Sequence, residues 1–478
     1  MPSYRFNEIF MLWSTELRQL KFITLLIVLS TSIFLLISES ILSSDDGYET
    51  NRFETVDFIA PQISDYYCDV ITNTSWHPRA TDMIHWAERW SYPLPKESVV
   101  LSIPTLKQRC HFIKRHFRFN TVPLSREEKE FPLAYGILVH RWFIQVYYML
   151  GAIYHPQNAY CIAVDNKTST DFKRTIFVLG ECFPNIQVIN GPTVRHCGNS
   201  VLDAVLSCLT LLTSSNNPWK YYQYLSGVDL PLKTNAEMVK IFKRLNGSIN
   251  AEVLKMVDPP SIADKVRKWI WPKDDIEPTF GMELIKSSLS ATFTRETAQF
   301  FVNSAQSSAL RLFMRKKQLM CPDEYFWLTL AGNPKSVKMP SNFDAARLLK
   351  DVERRREIEK LKGGSPSQQS IPYYISRYQR WIEKFNVIIS SKPCAGKYVR
   401  FSCVFGVRDV SHLLQRPELV AHKFYITFQP AAFFCLNRKI KERALHGHSE
   451  FNDEPYGNLP GPRITRKQSV RQWANALL

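Results

Sequence analysis

The chain has 478 residues, of which 45% are hydrophobic and 13% aromatic, and a formal net charge of +17. That is enough apolar material to bury a large core, and it points to one big domain with appendages. No pair among the ten cysteines has Cys-x-x-Cys spacing, which argues against a zinc site, and no Gly-rich phosphate loop is present, which argues against a mononucleotide hydrolase or a dehydrogenase.

Residues 1–21 include Arg5, Arg18 and Lys21 and read as a cytosolic tail. Phe22 to Ser38 is apolar and uncharged and continues weakly through Ile41 and Leu42. The segment 22–42 therefore reaches roughly the 20 residues that a bilayer requires, with positive charge on the side expected to stay in the cytosol. A cleaved signal peptide is the alternative. The long leading segment and the lack of a small-x-small site after the apolar run favour a type II signal anchor, with everything beyond it in the secretory lumen. Sequons at Asn73, Asn166 and Asn246 agree with that placement, their occupancy left open. Cysteines in that oxidising compartment are expected to pair. A lumenal domain meets no nucleic acid. The positive charge is better assigned to pockets for an anionic nucleotide and to solvated faces such as Arg315-Lys316-Lys317 and Glu353 to Lys362.

Residues 43–125, polar and then richer in Trp and Pro, read as a lumenal stem, and 126–440 as the main domain. Here strands and helices alternate. Tyr135–His140 and Ala159–Val164 are strands flanking an amphipathic helix, followed by a helix over Ser169–Phe183 and a short strand, Ile186–Ile189. Asn199 and Ser200 are placed to cap the next helix, Tyr221–Leu225 is again a strand, and Asn235 caps a helix ending near Asn246-Gly247. This rhythm predicts an α/β fold, a mostly parallel sheet with helices on both faces. Asp165 stands at the carboxyl end of a strand, where such sheets bind ligands. Residues 441–478 read as a weakly ordered basic tail.

Five segments occur in an order that resembles the core-2 β-1,6-N-acetylglucosaminyltransferase family of Golgi enzymes, to which the peptide O-xylosyltransferases are also related. They are LAYGILVH with AIYHPQNAYCIAVD, CFPNIQVI, WKYYQYLSGVDLPLKTNAEMV, CPDEYFWLTL and RFSCVFGVRDVSHLLQRPELVAHKF, and they span about 133–438. The resemblance implies a GT-A type fold with a Rossmann-like sheet, a UDP-sugar donor, and inversion at the anomeric carbon. Direct inversion needs one general base for the acceptor hydroxyl, and the glutamate of the family's Pro-Asp-Glu motif is Glu324 here. Read without the family, Asp323 and Glu324 are acids suited to capping the apolar helix that follows.

The resemblance also implies independence from metal and no cofactor beyond the co-substrate; the chain contains no Asp-x-Asp motif. The family's cations for the leaving UDP match Arg400 and Lys423, which fits stabilisation of developing phosphate charge by preplaced cations. Asp165 matches the uracil contact, with Val139 and His140 expected to line the same pocket. Glu252 matches an acidic residue for acceptor hydroxyls. Lys265 and Arg267 are candidate acceptor bases despite altered spacing. Asp229 is expected to shape a turn. The family's disulfides carry over as Cys68–Cys435, Cys110–Cys182, Cys161–Cys208 and Cys394–Cys403. Cys197 and Cys321 are left over, Cys321 as a candidate free thiol beside the site.

Tyr325, Val407-Arg408 and Tyr425 depart from the family pattern, which leaves the donor open between UDP-GlcNAc and UDP-glucose. The function implied is β-1,6 transfer to the GalNAc of core-1 mucin-type O-glycans on glycoproteins, by a single-pass type II protein of the Golgi membrane. The rival from another class is an inert lumenal scaffold, and the joint presence of Glu324, Arg400 and Lys423 argues against it. Whether the chain forms a homodimer is left open.

Overall fold

The computed structural model describes residues 63–73, 79–254, 280–317, 319, 321–361, 371–382, 393–445 and 451–476, all of them within the unit Pro61–Leu478. The expected anchor at 22–42 lies outside the described residues, as do Lys265 and Arg267. Among the described residues no helix is long and apolar enough to cross a membrane.

The core is a five-stranded sheet. Its strands are β1 (Leu133–Val139), β2 (Ala159–Val164), β3 (Ile186–Asn190), β4 (Tyr221–Ser226) and β6 (Thr292–Thr294), in the order β3-β2-β1-β4-β6. The strands β1 to β4 run parallel and only β6 is antiparallel. Between them run α1 (Phe143–Ile153), α2 (Thr170–Cys182) and α3 (Asn199–Ser214), with α4 (Asn235–Leu245) beyond β4. Ser169 caps α2 by accepting from the Phe172 N–H at 3.1 Å. Two caps differ from the sequence reading. Gly198 precedes α3, which leaves Asn199 inside the helix, and Thr234, not Asn235, caps α4 in a reciprocal box with Glu237. Asn235 instead donates its side-chain amide to buried Glu128 at 2.8 Å.

Successive residues of a strand face opposite sides of a sheet, and both sides are covered here. Ala134, Cys161, Ala163, Tyr222 and Tyr224 pack in one cluster with α3 residues such as Leu202, Leu206 and Leu209. On the other side Tyr135 stacks on Tyr160, and its hydroxyl lies 3.4 Å from Met238 of α4. Gly136 permits a close approach, since a Cβ there would collide with the Tyr222 ring. The chain winds outward through β2 and β3 and returns to β4 on the far side of β1. The carboxyl ends of β1 and β4 therefore flank the topological switch point, where open sheets of this kind form a ligand crevice.

A smaller sheet joins β5 (Asp229–Pro231), β10 (Val420–His422) and β7 (Tyr378–Gln379), and a hairpin pairs β8 (Lys397–Val399) with β9 (Ser402–Val404). Five disulfides close the unit: the four pairs anticipated by the family pattern, and Cys197–Cys321. The fifth corrects the expectation of a free thiol at Cys321. The Cys321 N–H donates to the Cys197 carbonyl at 3.1 Å, which brings the two chains side by side.

The described residues of both flanking regions hold more regular structure than their composition suggests. Among the described residues of the expected stem, the helices Asp65–Thr72 and Leu106–His116 are tied to the domain by Cys68–Cys435 and Cys110–Cys182. The expected weak tail is likewise corrected. Residues 451–476 hold two short helices, with Tyr456, Leu459 and Trp473 buried. The segment around Tyr456 packs on α4, whereas the second helix, Val470–Asn475, packs on the charged helix Ala345–Leu361, whose stretch from Glu353 onward the sequence presents as a solvated face. Arg355 is buried there, stacks over the Trp473 ring at 4.6 Å and donates to its carbonyl at 2.7 Å, while Arg354 donates to Asn475 at 2.6 Å. Trp473→Ala is expected to cost about 3 kcal/mol, read as a fall in the midpoint of chemical denaturation with intact disulfides.

Candidate active site

The strand ends at the switch point carry the first group of residues. Val139 closes β1, fully buried, and His140 stands exposed just after it. Although part of its surface is open, the protein packed around it and the neighbouring Arg141 cation lower the His140 imidazole below its ordinary value. Asp165 follows β2, with its own N–H bonded to the Val139 carbonyl at 3.0 Å. Its carboxylate is fixed by the N–H groups of Lys167 (3.0 Å) and Val194 (3.1 Å), and Lys167 Nζ lies 3.5 Å away. That leaves a rigid acceptor edge at the crevice.

Asp229 does shape the turn after β4, since its carboxylate accepts from the Ser226 N–H at 2.7 Å and hydroxyl at 2.9 Å. It also does more. Fully buried, it binds Arg377 Nη2 at 2.9 Å and shares a 2.7 Å hydrogen bond with His422 Nδ1. Burial would raise its carboxyl, but Arg377 and His422 outweigh that and hold it below the usual carboxylate range. The pairing of β10 with β5, His422 opposite Asp229, thereby sets the position of the next residue, Lys423. Lys423 is itself buried, and its Nζ donates to the Val399 carbonyl at 2.9 Å. Arg400 sits exposed at the tip of the β8–β9 hairpin with φ 49°, in the left-handed region. Burial, together with the Arg141 and Arg400 cations, lowers the Lys423 ammonium below its ordinary value. Like charges held together this way favour an anion between them.

The second group surrounds Glu324. Pro322–Glu324 form one 3-10 turn, and the short helix Phe326–Ala331 begins after Tyr325 with no side-chain cap, so Asp323 and Glu324 do not serve as its caps. Cys197–Cys321 staples the front of this turn to the loop before α3. Behind it the Ser287 N–H donates to the Glu324 carbonyl at 2.6 Å. The Glu324 side chain is about one-third exposed, with Lys286 Nζ 3.2 Å from Oε2. Glu252 is pushed up to about 7, chiefly by burial, with Glu324 adding to the shift and Arg356 and Lys286 opposing it. Asp323 is likewise raised to about 7 by burial and by Glu324. Its Oδ1 is buried with no hydrogen-bond partner among the described residues.

A carboxyl raised from 3.8 to about 7 stabilises the fold only while protonated. Its contribution is complete below about pH 4 and is lost as pH rises through 7. Asp323→Asn should therefore leave Tm near the wild-type value below pH 4 and raise it at pH 8, as read by thermal unfolding at pH 3.5 and pH 8.

The two groups meet at buried aromatic rings. Tyr224 feels Arg377, Asp229 and Asp323, and Tyr374 feels Glu252 and Arg377. The fold thus brings Glu252 and Glu324 together on one side and His140, Arg400 and Lys423 on the other, with Val139 and Asp165 at the neighbouring strand ends. Lys286, Arg356, Arg377 and His422 were missed by sequence reasoning. His422 adjoins Lys423 in the AHKF motif, so a signal existed for it. Lys286 and Arg356 lie in segments without a motif.

Cations thus gather at the switch point of a parallel-centred sheet, where such folds bind ligands, with the carboxyls of Glu252 and Glu324 forming a second group. Residues 133–398 match the family Core-2/I-Branching enzyme, and the chain belongs to that family of glycosyltransferases. It is 29% identical over 367 residues to a human β-1,3-galactosyl-O-glycosyl-glycoprotein β-1,6-N-acetylglucosaminyltransferase 3, which covers 72% of this chain and 76% of that one. It is 30% identical over 367 residues to a mouse N-acetyllactosaminide β-1,6-N-acetylglucosaminyl-transferase, covering 73% and 82%. A second human β-1,3-galactosyl-O-glycosyl-glycoprotein β-1,6-N-acetylglucosaminyltransferase is 28% identical over 351 residues, covering 70% and 75%.

Proposed function

We propose that this glycosyltransferase is an inverting, metal-independent enzyme that moves GlcNAc from UDP-GlcNAc in β-1,6 linkage onto the GalNAc of core-1 O-glycans. In this reading the Glu324 carboxylate accepts the proton of the acceptor 6-hydroxyl as that oxygen bonds to the anomeric carbon. The bond from that carbon to the phosphate oxygen breaks on the opposite face, and its electron pair leaves with UDP. Arg400 and Lys423 stabilise the charge that develops on the phosphate. Val139, His140 and Asp165 hold the uracil end, and Glu252 holds acceptor hydroxyls, with Lys265 and Arg267 as further acceptor contacts.

The observation that carries the reading is Glu324 itself, held by backbone on both sides of its turn while its side chain remains partly open to solvent. The absence of an Asp-x-Asp motif in the sequence, together with the Arg400 and Lys423 cations, supports leaving-group stabilisation by side chains. Residues 22–42 would anchor the protein as a type II protein of the Golgi membrane, with the folded unit in the lumen.

The test is a transfer assay with the purified full chain. UDP-GlcNAc and UDP-glucose would each be offered with Galβ1,3GalNAc-O-aryl and with an N-acetyllactosamine acceptor, and the linkage of the product determined. GlcNAc on the 6-hydroxyl of GalNAc is the expected product. Preference for UDP-glucose would overturn the donor assignment, preference for N-acetyllactosamine would overturn the acceptor, and UDP binding without any transfer would favour the inert scaffold.

A further inference from the structure

The cation cluster at the strand ends contains a residue that no motif names. Arg141 follows His140 directly after β1, at the switch point. Its guanidinium carbon lies 4.3 Å from the Trp142 ring centroid and 4.6 Å from that of Tyr425, and the two rings are 5.0 Å apart at 64°. Stacking of this kind fixes the plane of a guanidinium without using its N–H donors. The Arg141 Nε is buried and has no hydrogen-bond partner among the described residues. Its charge acts on neighbours of the same sign, depressing both the His140 imidazole and the Lys423 ammonium. Acids at this edge are already engaged: Asp165 with Lys167 and two backbone N–H groups, Asp229 with Arg377, His422 and Ser226.

A buried donor without an acceptor costs stability, and so does crowding of like charges. Such an arrangement is justified where a ligand supplies the acceptor and the opposite charge. A diphosphate supplies both: it carries the compensating negative charge, and its oxygens match the planar fork of an arginine better than that of a lysine. Preorganisation by the two rings reduces the entropy lost on binding.

We propose that Arg141 is a third cation for the diphosphate of the nucleotide-sugar, held in place by Trp142 and Tyr425. It gives the crevice selectivity for a nucleoside diphosphate over the nucleoside, and it rests on the UDP-sugar reading of this site. Tyr425 serves here as a positioning residue.

The experiment is titration of the purified full chain with UDP and with uridine, comparing wild type, Arg141→Gln and Arg141→Lys, with Tm measured for each. Loss of one charge-assisted phosphate contact should weaken UDP binding roughly ten- to a hundredfold in Arg141→Gln while leaving uridine affinity unchanged. Arg141→Lys should lie between the two, because it keeps the charge and loses the fork, and it preserves the test if the glutamine variant does not fold. A folded variant whose ratio of UDP to uridine affinity equals that of wild type would overturn the role of Arg141 alone. Wild-type protein that binds neither compound would overturn the nucleotide reading and the role of Arg141 with it.

Discussion

Glu324→Gln is expected to lower kcat for sugar transfer by roughly a thousandfold, within the range that general bases supply. The substitution keeps side-chain size and one hydrogen-bonding oxygen but removes the ability to take a proton. The turn itself should survive, because its fixed points are backbone: Glu324 N–H to the Cys321 carbonyl at 2.9 Å and Ser287 N–H to the Glu324 carbonyl at 2.6 Å. UDP affinity should survive as well, since the groups assigned to the nucleotide sit at the strand ends and the β8–β9 hairpin. The measurement is steady-state kinetics beside UDP titration and thermal unfolding of the same variant. A structural role for the acid predicts the opposite pattern, a lower Tm with little change in kcat.

Lys423→Met should lower kcat by a factor on the order of a hundred to a thousand, as loss of one charge-stabilising donor does in other enzymes. Three features give this lysine more weight than a surface cation. It is buried, its ammonium is oriented by the Val399 carbonyl, and its backbone is set by the Asp229–His422–Arg377 network through the pairing of β10 with β5. Lys423→Arg should retain a substantial part of the activity that Lys423→Met loses, because the charge remains. Equal losses in the two variants, with Tm unchanged, would mean that shape and not charge is needed at this position.

Much of the fold was legible because its signals are local. The apolar run of β1 and the six residues of β2 follow directly from periodicity, and Asp165 ends its strand as the pattern requires. The turn made by Asp229 was also readable, since a short acidic side chain just past the Ser226-Gly227 turn can reach back to accept from the Ser226 N–H and hydroxyl. What Asp229 does beyond the turn was not readable, because Arg377 lies 148 residues away in sequence and arrives through the pairing of β5, β10 and β7.

The remaining misses have the same origin. The tail around Trp473 looked weak because Gly, Pro and basic residues dominate it, and only the arrival of Arg355 makes its tryptophan a core residue. A run such as Glu353 to Lys362 hides one buried face among exposed charges. In Cys197 and Cys321 the signal was present: with four pairs assigned, two cysteines of an oxidising compartment remained for each other. Arg356 and Lys286 flank the carboxyls of the site from segments with no motif, and only the folded chain brings them to Glu252 and Glu324.

The central claim, that Glu324 is the base of a side-chain-assisted transfer from a UDP-sugar, is tested most directly by one comparison. Transfer from UDP-GlcNAc to Galβ1,3GalNAc-O-aryl would be measured in the presence of EDTA for the wild-type chain and for Glu324→Gln. The predicted result is undiminished transfer by the wild type and near-complete loss in a variant that still binds UDP. Loss of wild-type transfer on adding EDTA, or persistent transfer by Glu324→Gln, would contradict the account.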